Sequence, residues 1–241
     1  MSYVNSYSLY NSTAGTGHTW SYTPSASGNI LLAWFSPGQG TLTGVPTDGS
    51  NTWAALGTNP HGSFDAFNIY TFWAKSTGSS ALTISVTTAS SQACSMGIIE
   101  LSGRDPTTPI NAVIGFNESS RTNTHSTATP NGNLTTTVSG CDLVMLSADT
   151  ASFDSAGGFI TYTPTNSYTM CADGSGTLGT QAPGYTGCIQ YLPNQAIGSS
   201  YLATFSNNVT TMAAAGVLVA VAPASGGGGT SARSLLTLGI G

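Results

Sequence analysis

The chain has 241 residues but only 4 Lys+Arg and 9 Asp+Glu, so 5% of its positions are charged, where an ordinary soluble domain carries roughly a quarter. The surface positions that charge usually fills fall instead to 33 Ser, 36 Thr and 30 Gly. Four scattered cations, Lys75, Arg104, Arg121 and Arg233, cannot neutralise a row of phosphates, which excludes nucleic acid as a partner. The absence of any apolar repeat at 3.5 or 3.6 residues excludes a coiled coil or helical bundle, and 39% hydrophobic residues with 4 Trp, 10 Tyr and 8 Phe exclude disorder.

The first ten residues, MSYVNSYSLY, have neither the basic nor the apolar segment of a secretory signal. No apolar run reaches the ~18 residues of a membrane span. The expectation is synthesis in a host cytoplasm and no membrane partner. Short β-branched and aromatic runs bounded by Gly, Ser, Asn or Pro then predict strands in succession. They begin at Thr19–Thr23 and continue with Ile30–Phe35 (ILLAWF), Thr52–Leu56, Asn68–Lys75, Ala81–Thr87 (ALTISVT) and Ser95–Ser102. A polar stretch, Asp105–Pro130, reads as a long crossover. After it come Asn133–Val138, Asp142–Ser147, Phe159–Tyr162, Cys188–Leu192, Tyr201–Ser206 and Ala214–Val221. No segment predicts a helix. ALTISVT alternates as a strand with one wet face should, whereas ILLAWF and GVLVAV are apolar nearly throughout, as strands covered on both faces are.

Residues 27–103 and 139–223 echo each other in strand type and in their SG and GSS punctuation. The echo describes two similar half-sandwiches or the two interleaved sheets of a Greek-key jelly roll. The expected fold is therefore an all-β, jelly-roll-like antiparallel β-sandwich of about ten to twelve strands over residues 1–224. Residues 225–241 form a Gly-rich linker and an apolar tail. That tail, through Leu235, Leu236, Leu238 and Ile240, either folds back as an edge strand or docks on another chain by strand addition.

Several motifs carry a family resemblance: SGNILL, the D-G-S-N-T-W turn at 48–53, the W-A-K run before GSSALTISVT, IIELSGRDPTTPINA at 98–112, and TTTVSGCDLV. Over roughly residues 20–223 the chain resembles a Ser/Thr/Gly-rich, jelly-roll-like β-sandwich domain of bacterial surface proteins and tailed-phage virion proteins. These motifs punctuate a fold and imply no catalytic residue. Cys141 departs from the pattern, since the family has Asn, Asp or Gly there. The GGGG linker and apolar tail resemble those of phage structural proteins.

Candidate chemistry is sparse. His18, His61 and His125 sit in Gly/Ser/Thr-rich turns and read as solvated loop residues, and no G-x-S-x-G elbow is present. Glu100, Glu118 and Asp142 are the carboxylates a glycan hydrolase would need in facing pairs; the commoner role for a strand-end carboxylate is to accept backbone hydrogen bonds. Asp48-Gly-Ser-Asn51 reads as a turn rather than a calcium loop, for want of further acidic ligands. Cys171 and Cys188 flank a Gly-rich segment and would be bridged if it folded as a hairpin; the preferred reading keeps all four cysteines as reduced small hydrophobes. Without a C-x2-C pair no metal is expected, nor any other cofactor. Trp20 and Trp53 are the candidate glycan contacts, while Trp34 and Trp73 lie in strand runs and read as core.

Together these readings lead to one expectation: a non-enzymatic virion structural protein, a head decoration or fibre-like component, homo-oligomeric and trimeric if fibre-like, held to other virion subunits by its tail. The alternative is an adhesive module for a bacterial surface glycan.

Overall fold

A computed structural model describes residues 3–38, 40–61, 68–122, 124–127, 131–149, 162–172, 187–198, 200–207 and 212–224. Within them the chain is all β, and its antiparallel sheets stack as a sandwich. One five-stranded sheet uses β1 (Tyr3–Tyr22), β2 (Ile30–Ser36), β3 (Trp53–Ala55), β4 (Tyr70–Lys75) and β5 (Leu82–Leu101), in the order β1-β5-β2-β4-β3. The other uses β6 (Ile110–Thr122), β9 (Cys141–Asp149), β11 (Thr169–Ala172), β12 (Gly187–Gln195) and β15 (Met212–Val221), in the order β6-β15-β9-β12-β11. The two orders are the same once the strands of each half are counted from its own start. The internal echo therefore resolves as two similar halves, each supplying one whole sheet. The strands are not interleaved.

Smaller elements complete the second half. Strands β7 (Thr124–Ser126), β10 (Tyr162–Pro164) and β14 (Thr204–Asn207) form a sheet in the order β10-β14-β7, and β8 (Leu134–Thr135) pairs with β13 (Ser200–Tyr201). In the first half β1 and β5 run unbroken and pair from Tyr3↔Leu101 to Tyr22↔Leu82, with register shifts at Asn11/Gly15 and Gly15/Gly17. Bulges of this kind bend a strand. The bent arm lays Trp20, Tyr22, Ile84 and Val86 in one cluster with Leu31, Ala33 and Phe35. In the second half the described residues of the corresponding strands are β6 with β7 and β14 with β15. Phe205, on β14, packs in one cluster with Leu143, Met145 and Leu218.

The sheets meet face to face over a shared core of Ile30, Leu32, Trp34, Ile99 and Leu101 against Val144, Leu146, Ile189, Val217 and Val219. Strand β2 lies over β9, β5 over β12, β4 over β15 and β1 over β11, so the halves are related by an approximate two-fold axis through β2 and β9. Because each sheet also has an outer cluster of its own, β2 and β9 are buried at every position. This is why ILLAWF and DLVMLS carry no polar alternation.

Among the described residues there are fifteen strands. The first begins at Tyr3, well before the Thr19 start that the sequence predicts, because its Ser- and Asn-rich opening lacks strand composition yet pairs with β5. The expected crossover Asp105–Pro130 is corrected in the same way. It contains β6 and β7, and among the described residues β6 is the edge strand of its sheet, hydrogen-bonded to β15. No helix of the described residues is long and apolar enough to cross a membrane.

Candidate functional site

Glu100 ends β5 on the outer face of its sheet, the face that also carries Ile98. Its fully buried carboxylate accepts from Tyr22 Oη at 2.9 Å, Ser25 N at 2.9 Å, Ser25 Oγ at 2.8 Å and Asn29 Nδ2 at 2.6 Å. Burial pushes its pKa up, but these donors outweigh burial and hold it below the ordinary glutamate value. The role is structural: the carboxylate ties the loop between β1 and β2 to the sheet. Asn29, one of its donors, occupies the position where the second half has Cys141, as SGN at 27–29 and SGC at 139–141 show. The Cys141 thiol points instead to Val138 O, at 3.1 Å.

Asp142 takes the place that Ile30 has in the first half, since Ile30 pairs with Leu101 and Asp142 with the corresponding Val221. The substitution puts a carboxylate at the rim of the shared core, where it is 1% exposed. Tyr191 Oη donates to it at 2.7 Å and Asn194 N at 3.0 Å, and Arg104 Nη1 lies 3.3 Å away. Burial still dominates and raises its pKa against all three partners. Glu100 thus lies on the outer face of the first sheet and Asp142 at the rim between the two sheets, and they do not form a catalytic pair.

The remaining candidates divide clearly. Asp48 caps its own turn, accepting from Ser50 N and Asn51 N on Oδ1 and from Asn51 Nδ2 and Trp53 Nε1 on Oδ2, at 2.7–3.0 Å. Burial pushes this carboxyl up, and its four donors bring it below the ordinary value. Trp53 is therefore 5% exposed and spoken for, and Trp20 is 6% exposed between His18 and Phe35. Neither indole offers a face to a sugar, which corrects their reading as glycan contacts. Trp34 is core, and Trp73 packs partly buried against it.

The Cys171–Cys188 bridge is corrected as well. Pairing Met170↔Gln190 and Ala172↔Ile189 sends Cys171 toward the shared core and Cys188 to the outer cluster on the other face, and all four cysteines are free thiols. The histidines are not solvated. His18 and His125 are buried, one in each half, with His125 Nδ1 2.8 Å from Glu118 Oε2. The tail residues Leu235, Leu236, Leu238 and Ile240 lie outside the described residues. Among the described residues no group of His, Cys, Asp and Glu is placed to hold a metal.

One concave site emerges that the sequence did not single out. Along one margin of the sandwich β1 closes on β11, with Ser6 Oγ donating to Cys171 O at 2.6 Å and Tyr3 against Tyr191 at 5.8 Å. At the margin related by the approximate two-fold axis, the segment after β3 and the edge strand β6 border a cleft of about 580 Å³, whose walls include Thr58, Pro60, His61, Val113, Asn117 and Asn131. His61 Nε2 is 2.9 Å from Leu56 O and 2.8 Å from Thr71 Oγ1. A carbonyl only accepts, so Nε2 carries the proton and Nδ1 keeps its lone pair. Burial lowers the His61 pKa to about 4, so the ring is neutral. Nδ1 is directed at Gly115, where a Cβ would stand 2.9 Å from it. Asn131 Nδ2 donates to Gly115 O at 2.7 Å. The signal available in the sequence was His61 between two Gly/Pro-rich turns, and nothing local in it pointed to β6 as the opposite wall. No protein-family model, curated protein or solved structure matches this chain.

Proposed function

We propose that this chain is a non-enzymatic structural protein of a tailed-phage virion, a decoration or fibre-like component whose duplicated sandwich stands outward. Its tail, through Leu235, Leu236, Leu238 and Ile240, holds it to other subunits. The observation that carries the reading is the use made of the buried carboxylates. Glu100 and Asp142 are clamps, one tying a loop to its sheet and one tying the two halves together. A scaffold that spends its scarce charge on internal ties and covers its outside with hydroxyls is suited to standing in an array of its own copies. The glycan-adhesive alternative built on Trp20 and Trp53 has lost its aromatic platform, since both rings are buried.

The test is deletion of residues 225–241. The truncated chain is expected to keep the unfolding midpoint of the full chain while its native mass falls to that of a monomer and it no longer joins the particle. Incorporation at the level of the full chain would overturn the proposal.

A further inference from the structure

The first sheet ends on an edge that lacks the usual guards. No charged side chain precedes Asp48 and no proline precedes Pro24. Strand β1, 20 residues long, therefore has neither the Lys nor the Pro that keeps an edge strand from pairing with a foreign one. Among the described residues the other sheet edges are guarded: β3 is 3 residues long and β11 is 4, and β6 carries Glu118 and Arg121. Bulges also protect an edge, but those of β1 fall at Tyr3/Asn5 and beyond Asn11; between them Asn5 to Asn11 pairs with Glu100 to Cys94 without a break. Strand β11 touches β1 through Ser6 Oγ and Cys171 O, yet among the described strands β1 pairs with β5 and no other. Three of the six exposed large hydrophobic side chains among the described residues, Tyr3, Val4 and Tyr7, stand at this end of β1. Tyr7 is held in place, its ring edge-on to Tyr22 at 5.7 Å and its hydroxyl accepting from Asn5 Nδ2 at 3.0 Å.

From this arrangement we infer that Asn5–Asn11 pairs antiparallel with the same segment of a second copy, about a two-fold axis at Ser8, joining two five-stranded sheets into one continuous sheet. A two-fold contact requires a surface complementary to itself. The segment NSYSLYN meets that demand, since the axis sets Asn5 opposite Asn11, Ser6 opposite Tyr10 and Tyr7 opposite Leu9, and no like charges meet. Main-chain hydrogen bonds supply the attraction. Seven residues a side is well below the roughly 20–30 of a stable interface, so the pair is weak by itself. For its strength the inference rests on the tail reading above: tails that gather copies raise the effective concentration at which their edges meet, and the chain without its tail stays monomeric in dilute solution.

The test is mild oxidation of the assembled full chain carrying Ser8→Cys, read as a disulfide-linked dimer on a non-reducing gel. Residues directly opposite in an antiparallel pair have Cβ atoms about 5 Å apart, so Ser8→Cys should link. Asn5 stands opposite residue 11, which sets its two copies ~20 Å apart along the pair, so Asn5→Cys should link roughly tenfold more slowly or less. Tyr7→Lys changes an exposed residue and sets like charges beside the axis; added to Ser8→Cys it should slow linking roughly tenfold. In the parent, amide hydrogen exchange over Asn5–Asn11 should slow on assembly, which tests the pairing without any substitution. The inference is overturned if Ser8→Cys does not link, if Asn5→Cys links as fast, if Tyr7→Lys leaves the rate unchanged, or if exchange is the same in the assembled and the dissociated chain. Native mass with and without residues 225–241 tells the two readings apart. A chain that assembles through its tail and does not link at Ser8→Cys overturns the pairing alone, and one that links and still assembles without its tail overturns the anchor alone.

Discussion

Arg104 Nη1 stands 3.3 Å from Asp142 Oδ1, and the same nitrogen donates to Gly140 O at 3.1 Å. Arg104 follows the last strand of the first half and Asp142 opens the central strand of the second, so one guanidinium joins the halves at the rim of their shared core. Around it Asp105 N donates to Ala222 O and Ala224 N to Gly103 O, which knits the connector to the end of β15. Removing one partner of such a pair strands a buried charge. Arg104→Ala is therefore expected to cost about 3 kcal/mol in urea unfolding at neutral pH. The sign with pH follows from Asp142, whose folded-state pKa is raised by burial. A raised carboxyl contributes stability that is complete below its unfolded pKa and is lost as pH rises through its folded pKa, so the deficit of Arg104→Ala should shrink as pH is lowered toward 4. A double change to Arg104→Met with Asp142→Ile, copying Ile30, should recover most of the loss. Equal deficits at pH 4 and pH 7 would sink this account.

Trp34 and its partner Gly97 give a second prediction. A Cβ on Gly97 would fall 2.1 Å from Trp34 Nε1, and one on Gly187 would fall 2.7 Å from Trp34 Cζ2. The indole thus lies across two bare backbones at the centre of the core. The corresponding pair in the second half is Leu146↔Val217, a medium residue on a medium residue. Gly97→Val alone should cost about 3 kcal/mol or more by overpacking, and Trp34→Leu alone about 3 kcal/mol through the cavity it leaves. Made together they reproduce the second half's solution, so the double variant should be more stable than the sum of the two losses allows. A thermodynamic cycle measures this, and strict additivity would remove the proposed equivalence of the halves.

Much of this fold was legible because its signals are local. ILLAWF and GVLVAV could be read as strands covered on both sides, and the SG and GSS punctuation marked the duplication, because turn chemistry and apolar runs repeat wherever the backbone does. The start of β1 was not legible. Its Ser and Asn residues are held in the sheet by pairing with β5 some ninety positions away, which no window of sequence contains. The site failed for the same reason. Trp20 and Trp53 follow turns and look available, but a bulged arm and the Asp48 carboxylate bury them. His61 looks like a loop residue until β6 is brought against it from the other half. Glu100 was legible as a strand-end acceptor, its partners Ser25 and Asn29 less so.

The free thiols allow a direct check of the cysteine placement. Cys171 is partly exposed and burial pushes its thiol up to about 12; burial likewise raises Cys94 and Cys141. The thiolate is the reactive form. Iodoacetamide should therefore reach Cys171 first among the four in the native chain, at a rate roughly two orders of magnitude or more below that of an unstructured cysteine. A reductant should leave the unfolding midpoint unchanged. If two thiols became alkylatable only after reduction, the separation of Cys171 and Cys188 onto opposite faces would be wrong.

Acid should unfold the chain through two separable windows. His61, its pKa lowered to about 4 by burial, and His18, lowered for the same reason, bind protons more readily when unfolded. A depressed folded-state pKa contributes stability that is present above the unfolded value, 6.5 for histidine, and is lost as pH falls toward the folded one. Each such residue steepens the decline by at most about 1.4 kcal/mol per pH unit. His61→Asn should flatten the stability curve between pH 6.5 and 4, leaving the part due to His18. Glu100 acts lower. Its pKa is held below the ordinary glutamate value, so its contribution is present above about pH 4.5 and disappears beneath it. Glu100→Gln places an amide N–H among four donors and should cost roughly 3 kcal/mol at neutral pH, with the deficit narrowing below pH 4. Urea midpoints from pH 3 to 8 for the parent and both variants separate the windows. A His61→Asn curve parallel to the parent's between pH 6.5 and 4 would show that this ring is not held neutral by the fold, and a Glu100→Gln deficit independent of pH would show that the charge on the clamp contributes nothing.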